Sequence, residues 1–136
     1  ARARLLRSAH DCSDGGLAVA VAEAAIGDPY ALTPFGAGIH LEQAPGAEPE
    51  ALLFGEDGAR ALVSFDPAKV GALRALASEQ GVPFAVLGSV AAPGGAVRIT
   101  VGTTTYSWPS TELRQCYFEA IPRRMASQRY DTVGAT

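Results

Sequence analysis

A chain of 136 residues, 48% apolar and 18% charged, has the size and balance of one globular domain whose core needs no staples. Its net charge is -3 at pH 7, and its arginines are scattered apart from small groups at Ala1–Arg7 and Arg123–Arg124, so the basic face that nucleic acid requires is missing. No apolar run reaches membrane-spanning length and no signal-peptide pattern opens the chain, so neither a membrane partner nor secretion is expected.

The opening, Ala-Arg-Ala-Arg-Leu-Leu-Arg, has no initiator Met and starts mid-pattern. It reads as the last turns of a helix whose start is missing, which predicts a piece of a longer polypeptide. After Asp14-Gly15-Gly16, the stretch Leu17–Ile26 holds Glu23 as its only strongly polar residue. An Ala-rich helix that is apolar nearly all round must be buried nearly all round. Gly27-Asp28-Pro29 ends it. Past the loop Thr33–Gly36, Ile39 and Leu41 alternate with His40 and Glu42, a strand pattern. A polar loop, Ala44–Pro49, opens a short helical turn through Leu53. Glu56-Asp57-Gly58 turns the chain into a strand, Ala59–Phe65, with Ala61, Val63 and Phe65 on one face.

The next helix has the clearest start. Asp66 is a good N-cap and Pro67 suits the first helical position. Val70, Leu73, Leu76 and Ala77 make its apolar stripe, and Gly81 closes it. Phe84, Val86 and Val90 then alternate in one strand and Val97, Ile99 and Val101 in another. Ala91–Gly95 between them reads as a hairpin loop. The last helix starts near Ser110, with Leu113, Cys116, Tyr117, Ala120 and Ile121 as its stripe and Pro122 as its limit. The fold class is therefore α+β: a mixed β-sheet of about four strands with helices packed on it, partly ferredoxin-like. Residues 1–125 form the domain and 126–136 a polar, mobile tail.

Chemistry concentrates in Ser8–Leu17. A glycine pair at a helix entrance lets backbone approach a ligand and leaves the first N–H groups free to meet an anion. Asp11 and Asp14 have the oxygen ligands that suit Mg²⁺, and Ser13, Gly15 and Gly16 complete a phosphate-facing wall. On the structural alternative, Ser13 or Asp14 caps the helix and the glycines relieve a tight turn. His10 is either a ligand-binding or basic group or a local hydrogen-bonding one. His40 reads as a surface residue, and Trp108-Pro109 as a core contact before the last helix. Cys12 and Cys116 lie far apart, outside any metal-ligand spacing, and read as free thiols in a reducing cytoplasm.

Taken in order, several segments resemble one family. Ser8-Ala9-His10-Asp11-Cys12-Ser13-Asp14-Gly15-Gly16-Leu17-Ala18-Val19-Ala20 is similar to the opening of the C-terminal domain in the large subunit of phosphoribosylformylglycinamidine synthase. Leu53-Phe54-Gly55-Glu56, Leu87-Gly88-Ser89-Val90, Arg98-Ile99, and Trp108 ahead of Leu113, Tyr117-Phe118-Glu119 and Pro122–Met125 continue the likeness over about residues 3 to 125. The resemblance implies the aminoimidazole-ribonucleotide-synthetase-like superfamily. It also implies a cytoplasmic, ATP-dependent ligase of purine biosynthesis. In that reaction ATP phosphorylates the formyl amide oxygen of formylglycinamide ribonucleotide, and ammonia displaces phosphate to give the amidine.

The cofactors implied are ATP and Mg²⁺. The implied partners are upstream domains of the same polypeptide, a glutaminase subunit and a small accessory subunit, with no nucleic acid and no membrane. No catalytic residue is carried over to this chain, and the chain alone is expected to be inactive. His10, Asp11, Ser13, Asp14, Gly15 and Gly16 become nucleotide- or phosphate-binding candidates, with Asp11 and Asp14 as metal ligands. A non-catalytic module that holds an auxiliary nucleotide or braces the assembly is the alternative. Where the family reads Glu-Ser-Gln this chain reads Glu56-Asp57-Gly58, which replaces two hydrogen-bond donors by a carboxylate and a glycine. Apolar surface near Leu5, Leu6 and the start of the Leu17 helix is expected to pack on a neighbouring domain.

Overall fold

The alternation of Val97, Ile99 and Val101 with Arg98 and Thr100 gives strand β5 (Ala96–Val101) one apolar face, and all three apolar residues are buried. In chain order the other elements are β1 (Leu6–Asp11), α1 (Gly16–Ile26), β2 (Phe35–Leu41), α2 (Pro49–Phe54), β3 (Ala61–Phe65), α3 (Val70–Glu79), β4 (Gly88–Pro93), β6 (Thr104–Pro109) and α4 (Ser110–Asp131). The computed structural model describes residues 4–27, 30, 33–56 and 58–131, the side chains of 127–131 excepted. A four-stranded sheet in the order β4-β2-β5-β6 stands beside a two-stranded ribbon, β1-β3. β2 runs parallel to β5, and the other pairs are antiparallel. The result is the expected mixed sheet with helices packed on it.

Register builds the core row by row. Val97 lies between Ala37 and Trp108, and Ile99 between Ile39 and Tyr106. Residues directly across a ladder share a face, so this inward face receives α1. Leu17, Ala18, Ala20 and Val21 of α1 join Cys12, Leu41, Leu53 and the three β5 residues in one cluster. Each large aliphatic side chain buried there contributes roughly 1.5–3 kcal/mol. The opposite row carries Gly38, Arg98 and Ser107, then His40, Thr100 and Thr105. It faces solvent, as one side of such a sheet commonly does, and His40 is exposed there as expected. Tyr106 and Trp108 stack with ring planes 9° apart, and both pack against the core from its edge.

Several expectations need correction. Residues 6–11, in part expected as the end of a helix, form β1 and pair antiparallel with β3; Ala1–Ala3 lie outside the described residues. Leu5 and Leu6 have too few neighbours at helical spacing to impose a helix once β3 offers backbone partners. β6 was not expected at all, although its Thr-Thr-Tyr-Ser-Trp run suits a strand. A turn at Gly102, with φ 57, folds it back onto β5. The expected hairpin loop Ala91–Gly95 is not one: Ala91–Pro93 belong to β4, and β2 lies between β4 and β5. Phe84 and Val86 precede β4, and the Phe84 ring sits 6.0 Å from that of Phe65 instead. Asp66 does cap as expected, accepting from the Ala68 N–H at 3.0 Å, but a 3-10 turn, Pro67–Lys69, comes before α3.

α4 continues through Pro122 to Asp131, so 126–131 are helical, and 132–136 lie outside the described residues. Its stripe is not core either: Leu113 reaches the cluster, while Tyr117 and Ile121 are exposed. Leu17 is buried within this chain and offers no docking surface. Cys12 is buried, Cys116 is exposed, and both are free. No helix among the described residues is long and apolar enough to cross a membrane.

Gly88 marks the tightest contact between β4 and β2. A Cβ there would lie 1.9 Å from the Gly38 carbonyl oxygen. Backbone cannot yield as a side chain can, so Gly88→Ala should cost about 1–3 kcal/mol. Gly38→Ala is the control: nothing lies within 4 Å of its Cβ position, and its effect should stay within about 0.5 kcal/mol. Urea unfolding of the two variants measures the difference.

Candidate functional site

The candidate residues lie where β1 hands over to α1. His10 sits in β1, and its two ring nitrogens find acceptors on different elements. Nδ1 is 2.6 Å from the Asp11 carbonyl oxygen, and Nε2 is 3.1 Å from Oε2 of Glu23 on α1. A neutral ring donates to one of these oxygens at a time and the protonated ring to both, and the one strongly polar residue of α1 has a structural partner. The approach of Nδ1 to the Asp11 carboxylate, 3.8 Å, is too long for a hydrogen bond.

Asp11 and Ser13 form a closed pair. The Ser13 hydroxyl donates to Asp11 Oδ2. That bond, then a backbone bond, holds the Asp11 carboxyl below the usual carboxylate range, with a small contribution from His10. Asp11 is exposed and ionised at neutral pH. Ser13 is therefore occupied with Asp11 and does not cap α1; no side chain at the Gly15 cap position does so. The Asp14 carboxylate makes no hydrogen bond or ion pair with the described residues.

The start of α1 is capped instead from far along the chain. Gly15, at φ 77, turns its N–H to Oε1 of Glu56, 2.9 Å away and 41 residues later. An acidic group suits the positive end of a helix. Gly16 is the second requirement. Its φ is 69, and a Cβ on it would stand 2.7 Å from the Phe54 carbonyl carbon and 2.8 Å from the Gly55 oxygen. The Gly16 N–H reaches the Ser13 oxygen at 3.4 Å. Two further bonds tie the same segments together: the Arg60 guanidinium donates to the Gly55 oxygen, and the Cys12 N–H donates to the Arg60 oxygen at 3.0 Å. Two stretches noted separately in the sequence, Asp11–Gly16 and Leu53–Glu56, are one packed unit. Glu56, Glu23 and Arg60 were not expected in it. Glu23 gave a signal as a single acid in an apolar helix, and Glu56 as the end of the Leu53–Glu56 family segment; Arg60 gave none.

Residues 1–100 match the family described as AIR synthase related protein, C-terminal domain. The chain belongs to this family. All of the packed unit falls inside the matched region. The chain is also 39% identical over 123 residues to phosphoribosylformylglycinamidine synthase subunit PurL of Synechococcus elongatus, covering 89% of this chain and 15% of that subunit. With PurL of Thermobifida fusca it is 39% identical over 122 residues, covering 90% and 14%. The chain thus spans about a seventh of the length of the curated relatives it matches. Among solved structures, T. maritima PurL complexed with ATP superposes with TM-score 0.68 at 24% identity, over 83% of this chain and 19% of that one. PurLQS from Thermotoga maritima superposes with TM-score 0.70 at 22% identity over the same shares. These likenesses show that this AIR synthase related C-terminal domain shares the fold of those proteins.

The Asp11–Ser13 and Gly15–Glu56 bonds can be tested separately. Ser13→Ala should move the Asp11 titration midpoint up toward the ordinary carboxylate value in a carboxyl NMR titration. A depressed carboxyl pKa contributes stability above the unfolded-state value and loses it as pH falls through the folded-state value. Wild type should therefore lose this contribution at more acid pH than its ordinary titration range, and the variant should have little to lose. Glu56→Ala removes the α1 cap and should lower unfolding free energy by about 1 kcal/mol, whereas Glu56→Gln keeps an acceptor and should lose less. Denaturant unfolding at neutral pH reads both.

Proposed function

We propose that this chain serves as the C-terminal domain of a phosphoribosylformylglycinamidine synthase and takes part in the ATP-dependent amidation of formylglycinamide ribonucleotide in purine biosynthesis. The 39% identity to PurL of Synechococcus elongatus across 89% of the chain carries this reading. The T. maritima PurL complexes with ATP and with FGAR support those two ligands for the whole assembly. The PurLQS structure supports an assembly of more than PurL. In this reading its members are upstream domains of the same polypeptide, a glutaminase subunit and a small accessory subunit, working in the cytoplasm as an ATP-dependent ligase.

In the same reading, His10, Asp11, Ser13, Asp14, Gly15 and Gly16 form the wall of an auxiliary nucleotide site. Asp14 supplies the open carboxylate, and Asp11 a second one kept ionised by Ser13. Two carboxylates fit a Mg²⁺ that keeps water and phosphate oxygens among its ligands. They do not make an all-protein cage, and no group of three or more His, Cys, Asp or Glu able to hold a metal occurs among the described residues. Mg²⁺ held there would neutralise phosphate charge. One observation favours the alternative of a bracing module: the Gly15 and Gly16 amides already have acceptors in Glu56 and Ser13.

A chimera separates these readings. This chain replaces the matching segment of the Synechococcus elongatus subunit, and amidine formation is assayed with ATP, formylglycinamide ribonucleotide and ammonia. The chimera should turn over and the chain alone should not. A folded chimera with no activity beside an active parent overturns the synthase role. Asp14→Asn in the chimera should lower the nucleotide retained after gentle purification while leaving the melting temperature of the nucleotide-free protein unchanged, since Asp14 caps nothing. Equal retention would make the loop architectural.

A further inference from the structure

The four-stranded sheet turns one face to α1 and leaves the other open, and the open face differs in charge from the rest of the chain. The chain has 14 acidic residues and a net charge of -3, yet β4, β2, β5 and β6 contain no Asp or Glu. The basic side chains of these strands, His40 and Arg98, both stand on the open face. Arg98, His40 and Ser89 are exposed, and their side chains have no hydrogen-bond or ion-pair partner among the described residues.

One row across this face reads Ser89, Gly38, Arg98, Ser107, one residue from each strand. Gly38 lies in β2, an interior strand, where a glycine weakens the sheet because it packs nothing and gives up the most chain freedom. The usual structural reasons for a glycine do not apply there. Its φ is not positive. The register shift in β2 falls at Phe35 and Gly36, and the pairs of Gly38 with Ser89 and with Arg98 are regular. Nothing lies within 4 Å of the place its Cβ would take. A glycine in such a strand marks a place where something from outside comes close to the backbone. With strands about 4.8 Å apart, Ser89 and Arg98 flank a hollow of about 10 Å between their α-carbons, floored by the Gly38 backbone. His40 stands about 7 Å further along β2, at one end of it.

We infer that this hollow binds a phosphate group, free or as a monoester. A hydroxyl, a guanidinium and an imidazole border it on three sides, and each can donate a hydrogen bond. The Arg98 fork suits two oxygens of one anion. A planar carboxylate is used up by that fork, whereas a tetrahedral group has further oxygens for Ser89 and His40. No carboxylate within the sheet repels the charge. The site lies on the opposite face of the sheet from α1 and is independent of any nucleotide role of the Asp11–Gly16 loop.

NMR of the amide and guanidinium N–H groups tests it, with the whole chain titrated at constant ionic strength with inorganic phosphate, methyl phosphate or acetate. Phosphate should give saturable shifts at Gly38, Ser89, His40 and the Arg98 Nε–H. Gly38→Val fills the hollow with a residue that suits a strand. It should abolish those shifts without lowering the melting temperature. Arg98→Lys keeps the charge without the fork, and should weaken binding about tenfold, as the loss of one charge-assisted hydrogen bond does. Should Gly38→Val lower the melting temperature, the exposed Arg98→Lys decides by itself. Methyl phosphate binding as tightly as the free ion assigns the site to a phosphate monoester, and weaker binding assigns it to inorganic phosphate. The inference is overturned by the lack of any saturable shift, by a stable Gly38→Val or an Arg98→Lys that binds like wild type, or by acetate acting on the same groups as strongly as phosphate. Phosphate shifts confined to the Asp11–Gly16 loop also overturn it, because the anion then binds at the start of α1 instead.

Discussion

The absence of a side chain at Gly16 is the condition on which the rest of the domain depends. Its α-carbon sits so near the Phe54–Gly55 backbone that no Cβ fits. That approach seats the start of α1 against the end of α2. Leu17 and Val21 then reach Leu53 and the β5 row. Gly15, in the left-handed region, aims its N–H at Glu56 and closes the helix end with a charge from another element. Moving Gly16 outward by the width of a methyl group would separate α1 from α2 and expose the joint of β1, α1 and β3 together.

This construction changes the meaning of the polar loop. Ser13 bonds Asp11, Glu56 bonds Gly15, and Glu23 meets His10. Much of the loop's polarity is therefore spent on holding strand, helix and turn in register. Asp14 is different: its carboxylate is left to solvent beside the positive end of a buried helix. Of the candidate residues it has the least structural work, so a ligand role has its clearest expression there. The segment Glu56-Asp57-Gly58, whose sequence departs from the family pattern, keeps the residue that makes the cap.

The parts of the fold that could be read from local pattern are those whose burial is one-sided and whose ends carry their own chemistry. β5 alternates strictly. α1 is apolar nearly all round. Asp66 and Pro67 announce a helix by their side chains and ring. β1 escaped because Leu6–Asp11 is mostly exposed and so has no period to read. Its conformation comes from backbone bonds to β3. β4 and β5 look like a hairpin because a turn at Gly94 and Gly95 does join them, yet a turn cannot tell whether another strand will enter between its arms. Pro122 looked like an end, since a proline inside a helix loses one hydrogen bond and crowds the preceding turn, yet α4 runs through it to Asp131.

The sequence by itself determined the α+β class, the buried faces of α1 and β5, the Asp66 cap and the family, because each depends on residue types a few positions apart or in a fixed order. Only the tertiary structure decided that Asp11–Gly16 and Leu53–Glu56 clasp one another, that Glu56 rather than Ser13 or Asp14 caps α1, that β2 parts β4 from β5, and that the stripe of α4 runs out of the core. Each is a contact between residues distant in sequence. Such a contact is set by close approach of backbones and by which surfaces the remaining elements reach, and local periodicity carries no trace of either.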